Sequence, residues 1–240
     1  MPSYETRLLR TEAVAEGTLA FYLERPSALG FHAGQNALVS IIEPAEFDGF
    51  GPNRTLSFAS APHEAELMFA TRIRDTAYKR VLRDAKPGLR MRVEDGIGEM
   101  RLEPDEERPA VFLAGGIGIT PFLSMARHAA HTRLRRPLHL FYANRRPEDA
   151  PFLEELARLM ALNPAFRFVP TFTQLAKSSR PWNGERGPIG GAMLKRHLPD
   201  VRAPLYYLAG PPGMAIGVEM ELRDAGVAEE DIRSEEFFGY

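Results

Sequence analysis

The hydrophobic pattern changes between residues 103 and 110, and that change limits the architecture more than any other feature. Ala110–Ala114 reads AVFLA, an uninterrupted apolar run of the kind a strand shows when both its faces are buried. A glycine turn and a helical stretch, Pro121–Ala130, follow it. The cycle then repeats: strand Leu138–Ala143 with helix Pro151–Leu162, and strand Arg167–Phe172 with a loop and helix Ala192–His197. Strand Leu205–Ala209 with helix Met214–Ala225 completes it. Such alternation predicts a doubly wound parallel sheet. The preceding residues read differently. Leu19–Leu23, Ala37–Ile42, Thr55–Phe58, Leu67–Ile73 and Met91–Val93 are short apolar or β-branched runs separated by glycine and proline. They predict an antiparallel β-barrel or sandwich, interrupted by one helix over Thr76–Asp84 that Asp75 or Thr76 could cap. The sequence therefore predicts two domains, residues 1–106 and 107–240, divided near Pro104–Pro109.

Composition narrows what such a chain can do. The formal net charge of -2 gives no global field toward nucleic acid, and the basic run Arg133, Arg135, Arg136 reads as solvated surface. Cysteine is absent, which excludes disulfides and any cysteine-held iron–sulfur cluster within these residues. The six histidines form no metal-ligand pattern. His128 and His131, three apart on a predicted helix, read as ordinary helix histidines, so no metal is expected. The opening MPSYETRLLR is too polar for a secretory signal, and no apolar run reaches membrane-spanning length. A cytoplasmic protein, probing no bilayer and expected to be monomeric, is the reading.

Four segments carry chemistry. Gly115-Gly116-Ile117-Gly118-Ile119-Thr120-Pro121 joins a buried strand to a helix. Its glycines allow close backbone approach, Thr120 can cap the helix, and Pro121 suits the first helical position. Amides at such a turn favour a pyrophosphate, although packing of helix on strand also calls for glycine. Gly210-Pro211-Pro212-Gly213-Met214 ends the last parallel strand, so both loops fall where open α/β sheets bind ligands. Arg54-Thr55-Leu56-Ser57 lies in a strand, and its arginine needs either a phosphate or a surface acid such as Glu64 or Glu66. The chain closes on Glu235-Glu236-Phe237-Phe238-Gly239-Tyr240.

Taken in order, these segments resemble the ferredoxin–NADP reductase family of flavoproteins. Phe31-His32-Ala33-Gly34-Gln35 leads into RTLSFAS (54–60), and GGIGITP (115–121), AGPPGM (209–214) and EEFFGY (235–240) follow. The resemblance covers essentially the whole chain. It implies a barrel that binds FAD, with FMN the lesser choice, and a second domain that binds NAD(P)H as substrate. Arg54 then falls where a side chain pairs with the flavin pyrophosphate, with Thr55 and Leu56 beside it. Ser57 falls beside the flavin atom that exchanges hydride. Ala70, Thr71 and Arg72 correspond to the strand holding the flavin pyrimidine edge, and Thr76, Ala77, Tyr78 and Lys79 to the phosphate-holding segment. Gly116, Gly118, Thr120, Pro121, Gly210, Pro211, Pro212 and Met214 should flank the dinucleotide. Glu236 resembles the family's carboxylate near the nicotinamide, and Phe238, with Tyr240 as the alternative, the aromatic covering the flavin.

Three positions depart from the family pattern. Leu56 replaces a flavin-stacking tyrosine, Thr76-Ala77-Tyr78-Lys79 replaces a Gly-x-x-Ser loop, and Ala209 stands where a cysteine is common. Asn144-Arg145-Arg146 follows the second parallel strand, where arginine marks a 2′-phosphate and so NADPH. Thr171-Phe172-Thr173 argues the other way. The resemblance implies hydride transfer from NAD(P)H to flavin, then electron transfer to a ferredoxin, flavodoxin, haem or oxygenase component. A free-flavin reductase and a non-catalytic nucleotide-binding subunit are the alternatives.

Overall fold

The computed structural model describes residues 2–103 and 107–236, the last for its backbone only. The predicted division at residue 106 lies outside the described residues. Six antiparallel strands form the first sheet: β1 (Ser3–Ala15), β2 (Thr18–Glu24), β3 (Asn36–Ile41), β4 (Asn53–Ser57), β5 (Glu66–Arg72) and β6 (Arg90–Glu94). Their order is β4-β3-β6-β1-β2-β5. The sheet rolls until its two edges meet, where the amides of Ala59 and Ser60, just beyond β4, both donate to the Met68 carbonyl of β5. Helix α1 (Ala77–Arg83) plugs one end and buries Tyr78 and Leu82 against Phe58, Phe69 and Val93. Thr76 sits at its N-cap but makes no side-chain cap bond; the α1 amide of Ala77 is taken at 2.6 Å by Asp48 from the β3–β4 loop.

The second sheet holds β7 (Ala110–Gly115), β8 (Leu138–Asn144), β9 (Phe166–Phe172), β10 (Glu185–Arg186), β11 (Leu205–Gly210) and β12 (Ile232–Glu236). All six run parallel in the order β10-β9-β8-β7-β11-β12. Helices α2 (Thr120–Thr132), α3 (Leu153–Leu162), α4 (Gly191–His197) and α5 (Pro212–Asp224) cover it. Every residue of β7 and β11 is buried, as continuous apolar runs require. The predicted architecture is therefore present.

The sequence does not predict β1, β10 or β12, and β1 is the most instructive of the three. β1 is the longest strand, yet only Thr6 and Leu8 of it are fully buried, and the register on β2 shifts twice. Charged residues on the solvated face and two irregularities erase the period-two signal. Arg136 also corrects an expectation: it is buried, and its Nε donates to the Arg108 carbonyl at 2.6 Å. His131 stacks on His63 with ring centroids 3.7 Å apart.

The two sheets share one core. Ala20, Met68 and Ala70 of the rolled sheet pack in the same buried cluster as Phe112, Phe122 and Leu123. Helix α2 makes that seam: Ser124 Oγ donates to the Ser60 carbonyl at 2.6 Å, and Arg127 reaches the Ala59 carbonyl, Glu64 and Glu155. Replacing Arg127 by Ala leaves two partly buried carboxylates without their cation. The expected cost is about 3 kcal/mol in urea unfolding; a loss below about 1 kcal/mol would mean the seam behaves as a surface ion pair.

Candidate active site

The carboxyl ends of β7, β8 and β11 open into a cleft of about 590 Å³, and its opposite wall belongs to the rolled sheet. Gly115, Gly116, Ile117, Pro211 and Met214 supply one side, while Gly17, Arg72 and Arg74 supply the other. The two glycine loops are brought together as the sequence predicted, but their glycines differ in purpose. A Cβ on Gly118 would meet the Ala209 carbonyl oxygen at 2.2 Å, so this glycine lets the two loops close against each other. Gly115 and Gly210 are similarly confined by Met214. Gly116, at φ +55°, has only the Arg72 guanidinium near it, 3.6 Å from where its Cβ would stand. Of the two loop glycines that line the cleft, it is the one not required by packing. Gly118, Thr120 and Pro121 are buried beneath. Thr120 does not cap α2; its Oγ1 donates to the Ile117 carbonyl at 3.1 Å.

Beyond the cleft lie the residues of the first sheet. Ser57 is 3% exposed, and its Oγ has no hydrogen-bond partner. Leu56 is half-buried on the barrel core, and Thr55 points to solvent. Ala70 and Thr71 are buried on β5, an edge strand whose outer side meets the segment after β4 at Met68, two residues before Ala70. Arg54 turns onto its own loop, donating to the carbonyls of Phe50, Gly51 and Asn53. It pairs with neither Glu64 nor Glu66, which bind Arg127 and Arg10. Burial, with Arg74 and Arg54 close by, pushes the Lys79 ammonium down to about 8. An anion between these cations would relieve that repulsion.

At the end of β8, Arg145 is exposed and lines the cleft, whereas Arg146 is held by Asp149 and Glu16. Asn144 is buried with neither amide atom hydrogen-bonded.

The closing segment needs a separate account. β12 pairs with β11 so that Glu235 stands opposite Ala209. The Glu235 carboxylate reaches the first sheet, where Asn36 Nδ2 donates to Oε1 at 2.6 Å. Asn36 is itself the ladder partner of Ser57. Burial raises the Glu235 pKa, and its Oε2 is buried without a partner. The sequence places Glu235 in the closing motif but assigns the carboxylate role to Glu236, and Asn36 carries no motif. The Glu236 side chain, Phe238 and Tyr240 lie outside the described residues.

Residues 112–220 match the family model of the oxidoreductase NAD-binding domain. Across 86% of its length the chain is 23% identical to reductase component 2 of a terephthalate 1,2-dioxygenase from Comamonas sp, and covers 59% of that protein. It is 28% identical to the electron transfer component of an anthranilate 1,2-dioxygenase from Acinetobacter baylyi, over 94% of this chain and 64% of that one. The chain thus spans about three fifths of these relatives' length. A ferredoxin NADP+ reductase from Neisseria gonorrhoeae, solved with bound FAD and NADP, superposes with a TM-score of 0.81 at 23% identity, covering 99% of this chain and 100% of that one. The chain has the ferredoxin reductase-like fold. Within that fold, the cleft lies at the carboxyl ends of the parallel strands, the usual ligand position of open α/β sheets.

The buried Glu235 gives a pH signature. Its pKa is raised above the ordinary 4.5. The stability it contributes is therefore complete below that value and is lost as pH rises through the folded pKa. Glu235→Gln should flatten the fall in stability between about pH 4.5 and pH 7. Urea midpoints of both proteins across that range check this; parallel curves would mean the carboxylate is solvated.

Proposed function

We propose that this chain is an NAD(P)H-dependent flavoprotein reductase, taking hydride from the nicotinamide onto bound FAD and passing electrons to a separate acceptor. The observation that carries the reading is the approach of Gly116 to Arg72. It puts the dinucleotide-type loops and the edge strand β5 on opposite walls of one cleft, so two ring systems bound there would share it. Residues 1–106 would form the flavin domain and residues 107–240 the nucleotide domain. The names of the relatives point to an oxygenase component as acceptor, with ferredoxin, flavodoxin or haem protein as the other choices. A cytoplasmic, monomeric protein belongs to the same proposal; no described helix is long and apolar enough to cross a membrane.

The residues present fit a flavin. Ser57 offers a buried hydroxyl without a partner, β5 offers an unpaired edge at Ala70–Arg72, and Arg54, Arg74 and Lys79 gather positive charge near α1. Such a cofactor supplies exchange between two-electron hydride and single-electron transfer. The chain's own contribution is position and charge. Ser57 would hold the reactive edge of the ring, and Asn36 orients Glu235 beside it. Burial pushes the Glu235 pKa up while the Asn36 hydrogen bond pulls it down, and its part in the proposal is to position Asn36 opposite Ser57. Gly116 and the Pro211–Met214 turn would hold the dinucleotide.

Purified protein should show flavin absorbance that bleaches anaerobically on adding NADH or NADPH. A colourless protein that neither retains nor turns over added FAD would reject the reading. Retention through desalting separates a bound cofactor from a flavin used as substrate.

Asp48 bears on that distinction. Its carboxylate already accepts the Ala77 and Phe50 amides, bonds that hold its pKa below the ordinary range, with Arg54 adding to the effect. It therefore places negative charge where the proposed flavin phosphates approach. Asp48→Asn should tighten FAD and FMN roughly tenfold and leave riboflavin, which has no phosphate, unaffected. Flavin fluorescence titration reads all three; equal shifts for all would assign Asp48 a purely structural role.

A further inference from the structure

Two consecutive arginines follow β8, and the structure gives them different fates. Arg145 is exposed and lines the cleft. Arg146 is gripped from both sides. Its Nε donates to Asp149 Oδ2 at 3.0 Å and its Nη2 to Asp149 Oδ1 at 2.7 Å, the forked geometry that suits a carboxylate. The same Nη2 donates to Glu16 Oε2 at 2.6 Å. Glu16 does not belong to the parallel sheet; it stands at the turn between β1 and β2, 130 residues away in sequence. That turn is docked, because the Glu16 amide donates to the Glu148 carbonyl at 3.0 Å. Arg72 adds a second tie, its Nη2 donating to the Asp149 carbonyl at 2.8 Å.

Arg146 is thus offset by Glu16 and Asp149, and both carboxylates line the cleft. A phosphate monoester carrying nearly two negative charges gains little there: one cation is already paired twice, and two carboxylates repel it. A sugar bearing free hydroxyls meets a better match. Asn144, the last residue of β8, is 6% exposed and lines the cleft, with neither its amide nitrogen nor its oxygen hydrogen-bonded. The neighbouring Tyr142 hydroxyl donates to the Pro151 carbonyl at 3.3 Å and also lies against the Asn144 amide. Both Asn144 amide atoms are shielded from solvent, and a turn of this side chain toward the cleft would offer one donor and one acceptor to a vicinal diol. Arg72 and Arg74 on the opposite wall remain for the diphosphate common to both nicotinamide dinucleotides.

We infer that Glu16 of the first sheet, with Asp149, withdraws Arg146 from the cleft and so selects the dinucleotide whose adenosine ribose has a free 2′-hydroxyl, NADH over NADPH. The inference rests on the dinucleotide reading above and assigns specificity to a residue outside the nucleotide-binding half. The test uses the flavin-loaded protein and titrates NAD+ and NADP+ calorimetrically, alongside kcat/KM for NADH and NADPH. The unaltered protein should favour NADH at least tenfold. Glu16→Gln should raise the ratio of NADP+ to NAD+ affinity five- to tenfold by removing one of the two carboxylates that hold Arg146 and repel a 2′-phosphate. Adding Arg146→Ala to Glu16→Gln should abolish that gain, which a general loosening of the seam would not do. Preference for NADPH in the unaltered protein would overturn the inference. So would an unchanged ratio in Glu16→Gln, or a gain that survives loss of Arg146. Failure of every variant to bind either nucleotide would reject the dinucleotide reading and this inference with it.

Discussion

Helix α2 is the element on which the rest depends, because it joins both ends of the proposed chemistry. It begins directly after the Gly115–Ile119 turn that faces the cleft and ends against the rolled sheet. Its Ser124 and Arg127 bind the carbonyls of Ser60 and Ala59, three and two residues beyond Ser57. One rigid helix thus ties the dinucleotide turn to the strand carrying the proposed flavin contact. Two rings held face to face need sub-ångström positioning, and side chains on packed helices and strands supply it better than loops do. The buried cluster uniting Met68 and Ala70 with Phe112 and Phe122 reinforces this, since closely packed cores transmit displacement instead of absorbing it.

Much of this was legible in the residue order. β7 and β11 announced themselves because both faces are buried, so nothing interrupts the apolar run. β1 did not, because its alternation mixes Thr6 and Leu8 with a solvated face rich in charge. The glycine loops were located correctly, yet their residues could not be sorted from sequence. Gly118 is required by the approach of the Ala209 carbonyl, and Gly116 by its own φ at the cleft. Only the meeting of β7 with β11 distinguishes them, and these strands lie about 90 residues apart.

The acidic pair at the terminus is a similar case. Glu235 and Glu236 give the same local signal, and strand alternation says only that neighbours face different ways. Which one reaches Asn36 is fixed by the register of β12 on β11, a non-local quantity. Asn36 itself carried no signal, since an asparagine at the start of a strand reads as turn chemistry. Its importance comes from standing opposite Ser57.

Two arginines of the parallel half, Arg127 and Arg146, each take a carboxylate from the rolled sheet, Glu64 and Glu16. Each also takes one from its own half, Glu155 and Asp149. Partly buried ion pairs add modest net stability compared with apolar packing, but they strongly disfavour any arrangement that parts them. Placed at two separate points of the seam, they oppose both sliding and hinging. The outer pair contains Glu16, which is more exposed than its partner, so salt weakens it before it weakens the α2 clamp. The seam is consequently stiff beside Ser57 and softer at the end of β8. That gradient suits a cleft whose proposed hydride-transfer end must be fixed while its ribose end admits and releases the nucleotide.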